Sequence, residues 1–154
     1  MKKILPLFTI LLSLDLISKY LITSNMTLNQ SIPIINNFFY LHYVENTGAA
    51  FSILQNSTLF LIMIALLILA YVIYSAINTK NPTWWVAITY ALLMAGITGN
   101  LFDRVFNGAV VDFLSFNFFG YYFPIFNLAD SFIILAIASL IIVELRKKEG
   151  AKNA

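Results

Sequence analysis

Four apolar runs decide what this chain can become: residues 4–22, 59–77, 84–99 and 123–143 are almost unbroken hydrophobic sequence. A helix needs roughly 20 residues to cross the hydrocarbon core of a bilayer. The third run reaches that length if its helix continues through LFDR to residue 104. In hydrocarbon every backbone N–H and C=O must be paired within the protein, so each run is expected as a helix. A chain that is 60% apolar and 10% charged, with a mean hydropathy of +0.85, lacks the polar surface a soluble domain requires. The expected fold is an all-α polytopic membrane protein: one membrane-embedded domain over residues 1–154, with spans at about 4–22, 59–77, 84–104 and 123–143.

The start, MKKILPLFTILLSL, imitates a secretory signal, with two lysines before an apolar run. The run carries Asp15 and Lys19 and no small-x-small cleavage pattern follows, so it reads as a retained first helix. Orientation follows from the basic residues. Lys2, Lys3, Lys80, Arg146, Lys147, Lys148 and Lys152 flank one side of the spans, whereas the two longer connections contain only Arg104. Both termini are therefore expected in the cytoplasm, with an extracytoplasmic loop at 23–58 and a cytoplasmic tail at 144–154. Within the loop, IPIINNFFYLHYV is rich in β-branched and aromatic residues, which predicts a small β-element between the first two helices at the outer interface. The tail sequence KKEGAKNA predicts disorder, and no internal repeat is visible.

Several function classes fall away. A net charge of +2 without a basic aromatic face gives no nucleic-acid surface. The absence of cysteine removes disulfides, thiol catalysis and thiolate metal sites, and His42 stands alone without a ligand cluster, so no metal or other cofactor is expected.

Ionisable residues at membrane depth cost about 2.5–3.5 kcal/mol each and so mark functional positions. Asp15 and Lys19, four apart on one face of the first helix, read either as a buried polar support on the inward face or, the preferred reading, as a structural ion pair near the outer end of the span with Lys19 snorkelling outward. Asn100, Asp103 and Arg104 follow i, i+3, i+4 spacing at the end of the third span. They face the bundle interior if the helix continues, with Asp103–Arg104 as a clamp and Arg104 free to hold a substrate carbonyl or tie down a loop. Asp112 follows the turn pair Asn107-Gly108 in AVVDFL, and Asp130 stands in FNLADSF with Asn127 one turn before it. These two acids lie on different elements and meet only through the fold. Three uses are open to them: hydrogen-bonded packing, a proton or cation relay, or a dyad sharing one proton to activate water against a peptide carbonyl. A small ion- or proton-coupled carrier would fit the relay, but four spans without a repeat make a poor alternating-access unit. The GxGD pattern of presenilin-like proteases is missing.

Five strings in order, DLISK (15–19), VENTGAAFS (44–52), GNLFDR (99–104), VVDF (110–113) and FNLADS (126–131), resemble the lipoprotein signal peptidases, or type II signal peptidases. That resemblance implies a membrane aspartic endopeptidase that cuts diacylglyceryl-modified prolipoproteins just before the lipidated cysteine, near the outer leaflet of the bacterial cytoplasmic membrane. It implies Asp112 and Asp130 as catalytic residues, Asn46 and Arg104 as contacts to substrate and globomycin-type peptides, and Gly48, Asn100 and Asn127 lining the same site. Asp15, Lys19 and Asp103 would support it. The partners implied are lipid-modified substrate and membrane lipids, with the chain acting as a monomer. Ser115 stands where many members carry another acid and is assigned no catalytic role; Phe102 replaces a more usual aliphatic residue.

Overall fold

The structure, a computed structural model, describes residues 1–49 and 53–152, with side chains through residue 142. Residues 50–52 of VENTGAAFS, and the side chains of Arg146, Lys147, Lys148 and Lys152, lie outside the described residues. Along the chain come helix α1 (Ile4–Asn25), strands β1 (Ser31–Ile35) and β2 (Phe39–Asn46), helices α2 (Thr58–Asn78) and α3 (Trp84–Asn107), strands β3 (Val110–Phe118) and β4 (Tyr121–Tyr122), and helix α4 (Leu128–Lys152).

Helices α1, α2 and α3 are long and apolar enough to cross a membrane, and among the residues with described side chains the apolar part of α4 runs over Leu128–Ile142. The helix at the expected fourth span, 123–143, begins later than expected. Residues 123–127 are not helical, because Asn127 caps the helix instead of lying inside it. Nor is the described part of KKEGAKNA, residues 147–152, a disordered tail: α4 continues to Lys152, and residues 153–154 lie outside the described residues. Helix α3 is the centre of the bundle, packing against α1, α2 and α4. Of its apolar window 61% is buried, against 17% for α1 and α2, whose outer faces of Leu and Ile are left for lipid. Small residues on α3, Ala87, Ala91 and Ala95, let its neighbours approach closely around Ile4, Val72 and Met94.

Helix α3 does continue through LFDR, ending where Gly108 (φ +77°) takes the left-handed conformation and its N–H bonds back to the Arg104 carbonyl. That turn launches β3, so the β-element expected between the first two helices, where β1 and β2 lie, extends into the connection after α3. The four strands form one antiparallel sheet in the order β1-β2-β3-β4, so β3, from the connection after α3, is a central strand. Ile22 and Met26 at the end of α1 pack on Tyr43, Val111 and Phe113, docking the sheet onto the helical bundle. In β2, Leu41 faces Leu114 while Val44 faces Asp112, so His42 and Tyr43 together oppose Phe113 and a bulge re-aims the end of the strand.

Candidate active site

Helix α4 begins with a reciprocal cap. Asn127 Oδ1 accepts from the Asp130 N–H (2.9 Å), and Asp130 Oδ2 accepts from the Asn127 N–H (3.2 Å). A further N-terminal donor, the Ala129 N–H, reaches Asp15 Oδ1 on α1 at 2.9 Å. Residues of the first and last helices thus share in satisfying the start of α4.

Asp112 arrives from the sheet. The β2–β3 register sets Val44 opposite Asp112 and Asn46 opposite Val110, which makes Asn46 and Asp112 diagonal neighbours on one face. Asn46 Nδ2 donates to Asp112 Oδ2 (3.0 Å), and Asn127 Nδ2 donates to Asp112 Oδ1 (2.7 Å). With 2% of its surface exposed, Asp112 is pushed up to about 7, first by burial and then by the nearby Asp130 charge; the amides of Asn46 and Asn127 and the Lys19 charge oppose the shift.

Asn100 on α3 joins the two acids. Its Nδ2 donates to Asp130 Oδ1 (2.7 Å), while its Oδ1 accepts from Asn127 Nδ2 (3.1 Å) and from Lys19 Nζ (3.0 Å). Lys19 is buried, and its Nζ also sits 2.8 Å from Asp15 Oδ2 and 3.0 Å from Asp103 Oδ2. The Asp15–Lys19 pair is present, but the lysine points inward to two more acceptors instead of snorkelling out. Nor do Asp103 and Arg104 pair: consecutive helical residues point about 100° apart. Asp103 turns to Lys19 and accepts from the Val111 N–H (3.2 Å), which fixes β3 to the end of α3. Arg104 points into the cavity side, where Nη2 donates to the Gly48 carbonyl (2.8 Å) and Nη1 approaches the Asn100 carbonyl (3.4 Å). Gly48 in turn donates its N–H to Asn46 Oδ1 (2.9 Å). Arg104 therefore ties down the segment after β2, while its buried Nε has no hydrogen-bond partner among the described residues.

Every residue assigned from the sequence to the site or to its support lies in this one network. Three features were not read there. Gly99 faces the Asp15 carboxylate so closely that a Cβ would collide with it, and a Cβ on Gly96 would lie 2.5 Å from the Ala129 carbonyl. Glycines inside an apolar helix were the available signal. The Asp15–Ala129 bond had no local signal, since its partners are 114 residues apart. The extended segment 123–126 lines the cavity, yet its apolar sequence passes for the start of a span.

That cavity, of ≈ 410 Å³, lies between α2 and α4 with α3 behind it. Leu61, Ile64 and Ile68 of α2 and Ile133 and Ile134 of α4 form apolar walls, and Asn46, Asn100, Arg104, Asp112 and Asp130 supply the polar groups. An apolar slot with a few convergent polar groups, two of them carboxyls from different elements, suits a ligand that is mostly hydrocarbon and carries a reacting polar bond.

Comparison with known proteins gives matches over nearly the whole chain. A family model described as signal peptidase (SPase) II matches residues 7–146. A lipoprotein signal peptidase of Bacillus pumilus (strain SAFR-032) is 38% identical over 145 residues, covering 94% of each chain. One from Staphylococcus aureus (strain bovine RF122 / ET3-1) is 37% identical over 139 residues, 90% of this chain and 85% of that one. A solved structure described as a bacterial membrane enzyme, obtained by the in meso method at 2.3 Å resolution, superposes with a TM-score of 0.89 at 33% identity, covering 97% of this chain and 92% of the other.

Proposed function

Because this chain belongs to the signal peptidase II family, we propose that it is an aspartic endopeptidase that removes signal peptides from lipid-modified prolipoproteins, with Asp112 and Asp130 as its catalytic pair. The observation that carries this reading is the junction at Asn127, whose amide and backbone engage both acids at once in a single cavity. Burial leaves Asp112 with its proton up to near neutral pH. Water attacks the scissile carbonyl carbon as Asp130 takes one of its protons and Asp112 gives its own to the carbonyl oxygen. Asp112 then recovers a proton from the resulting diol, Asp130 passes its proton to the amine, and the C–N bond breaks.

Each further residue has a place in this reading. Asn100 and Asn127 orient the carboxylates, Asn46 holds Asp112 and the Gly48 segment, and Arg104 has a spare Nε for a substrate carbonyl. The Asp15–Lys19–Asp103 cluster supports the floor of the site. On this reading the apolar walls accept acyl chains, which supports a cut just before the lipid-bearing cysteine, and a globomycin-type peptide would occupy the same cavity. The excess of lysine and arginine on one side supports cytoplasmic termini and a site near the outer leaflet. The family membership supports a bacterial cytoplasmic membrane as its place, and we read the chain as a single embedded domain acting as a monomer.

The test uses purified protein in detergent with a diacylglyceryl-modified prolipoprotein peptide, without metal or nucleotide. Cleavage before the lipidated cysteine is expected, and Asp112→Asn or Asp130→Asn should each lower kcat by a factor on the order of 10³ or more while the protein stays folded. The double variant should be little worse than either single one, since the pair acts as a unit. Near-normal turnover by either folded single variant would remove the pair from the mechanism.

A further inference from the structure

The segment between β4 and α4 pairs with β3 along one edge only. Phe126 exchanges both backbone hydrogen bonds with Leu114: its N–H donates to the Leu114 carbonyl (3.2 Å) and its carbonyl accepts from the Leu114 N–H (2.8 Å). A trans peptide plane points its C=O and N–H in opposite directions. The Ile125 carbonyl, sharing a plane with the Phe126 N–H, must therefore face away from β3. By the same rule the Asn127 N–H, opposite the Phe126 carbonyl, faces away from β3 too, and it lands on Asp130 Oδ2. The Ile125 carbonyl thus leaves the strand on the side where Asp130 sits. Ile125 lines the cavity beside both acids, and its carbonyl accepts no hydrogen bond from any described residue.

The strand holding this carbonyl is fixed on its other flank. Phe116 stacks on Phe126 at 5.8 Å, and the Phe123 N–H donates to the Phe116 carbonyl (2.8 Å). Pro124, which has no N–H, precedes Ile125, so the free edge offers an acceptor with little capacity to pair with another copy of itself. A segment bridged to β3 at Phe126, with an unpaired backbone acceptor in a cavity beside two carboxyls, offers an extended peptide a main-chain partner.

We propose that the Ile125 carbonyl is a positioning group for the substrate: the peptide binds extended along residues 124–126 and donates one backbone N–H adjacent to the scissile bond to that oxygen. This rests on the peptidase reading above. It adds that register comes from main-chain pairing, so side chains on alternate substrate residues face the enzyme while those between face away.

An ester scan of the lipidated peptide tests it. Each amide flanking the scissile bond is replaced in turn by an ester, which removes one N–H and keeps the chain extended, and kcat/KM is measured with the full-length enzyme in detergent. One ester is expected to cost about tenfold, mainly through KM, with its immediate neighbours changed by less than about twofold. A second measurement puts an α-hydroxy acid in place of Phe126, which turns the Ile125 carbonyl into the weaker acceptor of an ester; the sensitive position should then lose most of its effect. The same replacement at Leu114 removes an N–H from the same strand pair but leaves the Ile125 carbonyl an amide, and there the sensitivity should persist. A flat scan with wild-type enzyme overturns the proposal whether or not the backbone variants fold, as does undiminished sensitivity in a folded Phe126 variant. Failure of the all-amide peptide to be cleaved at all would instead overturn the peptidase reading, and this one with it.

Discussion

Asn127 and Asp130 cap each other's backbone: the Asp130 N–H meets Asn127 Oδ1 at 2.9 Å and the Asn127 N–H meets Asp130 Oδ2 at 3.2 Å. The group proposed to take a proton from water is thus also part of the cap that starts α4. Helix nucleation and carboxylate orientation share the same two bonds.

Replacing Asn127 should separate those roles. Asn127→Ala removes the cap and both amide donations, so it should cost about 1–2 kcal/mol of stability and most of the turnover. Asn127→Asp retains a capping oxygen but sets a third acid against Asp112, so it should lose turnover with a smaller drop in stability. Thermal unfolding in detergent alongside single-turnover cleavage reads both, and equal behaviour of the two variants would contradict the division.

Asp112 gives a pH signature. Its carboxyl, held up to about 7 by burial and by Asp130, has a proton to give below that value and none above it. Activity should therefore fall as pH rises through about 7. Stability has the same sign. The unfolded chain releases this proton near 3.8 and the folded one near 7, so the contribution is complete below 3.8 and disappears as pH climbs to 7. Asp112→Asn should flatten that slope in the unfolding midpoint, and an unchanged slope would assign it to other groups.

The Lys19 cluster should answer in folding more than in chemistry. Lys19→Ala strands Asp15 and Asp103 as buried acids, at a cost of about 3–5 kcal/mol. Folded yield should fall far more than turnover per folded molecule, and Asp103→Asn in the same chain should recover part of it. Gly99→Ala drives a methyl into the Asp15 carboxylate and should cost about 1–3 kcal/mol by overpacking. A folded Lys19→Ala protein without activity would place the lysine in the reaction itself.

The absence of cysteine makes topology simple to check. Single cysteines at the exposed positions Asn56 and Asn78 should be labelled from opposite sides of intact cells or oriented vesicles. Labelling from one side would reverse the proposed arrangement of α2.

Sequence reasoning reached the helices because the apolar runs are long and hydrocarbon leaves the backbone few alternatives; even the extension of α3 through LFDR followed from the length a span needs. It missed β3 because VVDFL is buried at almost every position, which erases the two-residue alternation that marks a half-buried strand. It assigned Phe123–Phe126 to a helix for a related reason: apolar composition does not tell a cavity wall from a membrane span. Charge partners were harder still. Asp103 sits beside Arg104 in sequence yet pairs with Lys19, 84 positions earlier, a choice made by helix rotation and packing. Asn46, Asn100 and Asn127 were placed in the site by family resemblance; their shared role as amide bridges between acids from separate elements required the fold.

The bond from Asp15 to the Ala129 N–H gives biogenesis a safeguard. Asp15 leaves the ribosome 114 residues before Ala129. A nascent chain can insert α1, α2 and α3 and even form β3 with Asp112 in place, yet Asp130 gains its orientation only when the final helix seats, its first turn on Asn100 of α3 and on Asp15 of α1. On the proposed mechanism, a half-made protease in a crowded translocation channel, surrounded by other signal peptides, cannot cut anything.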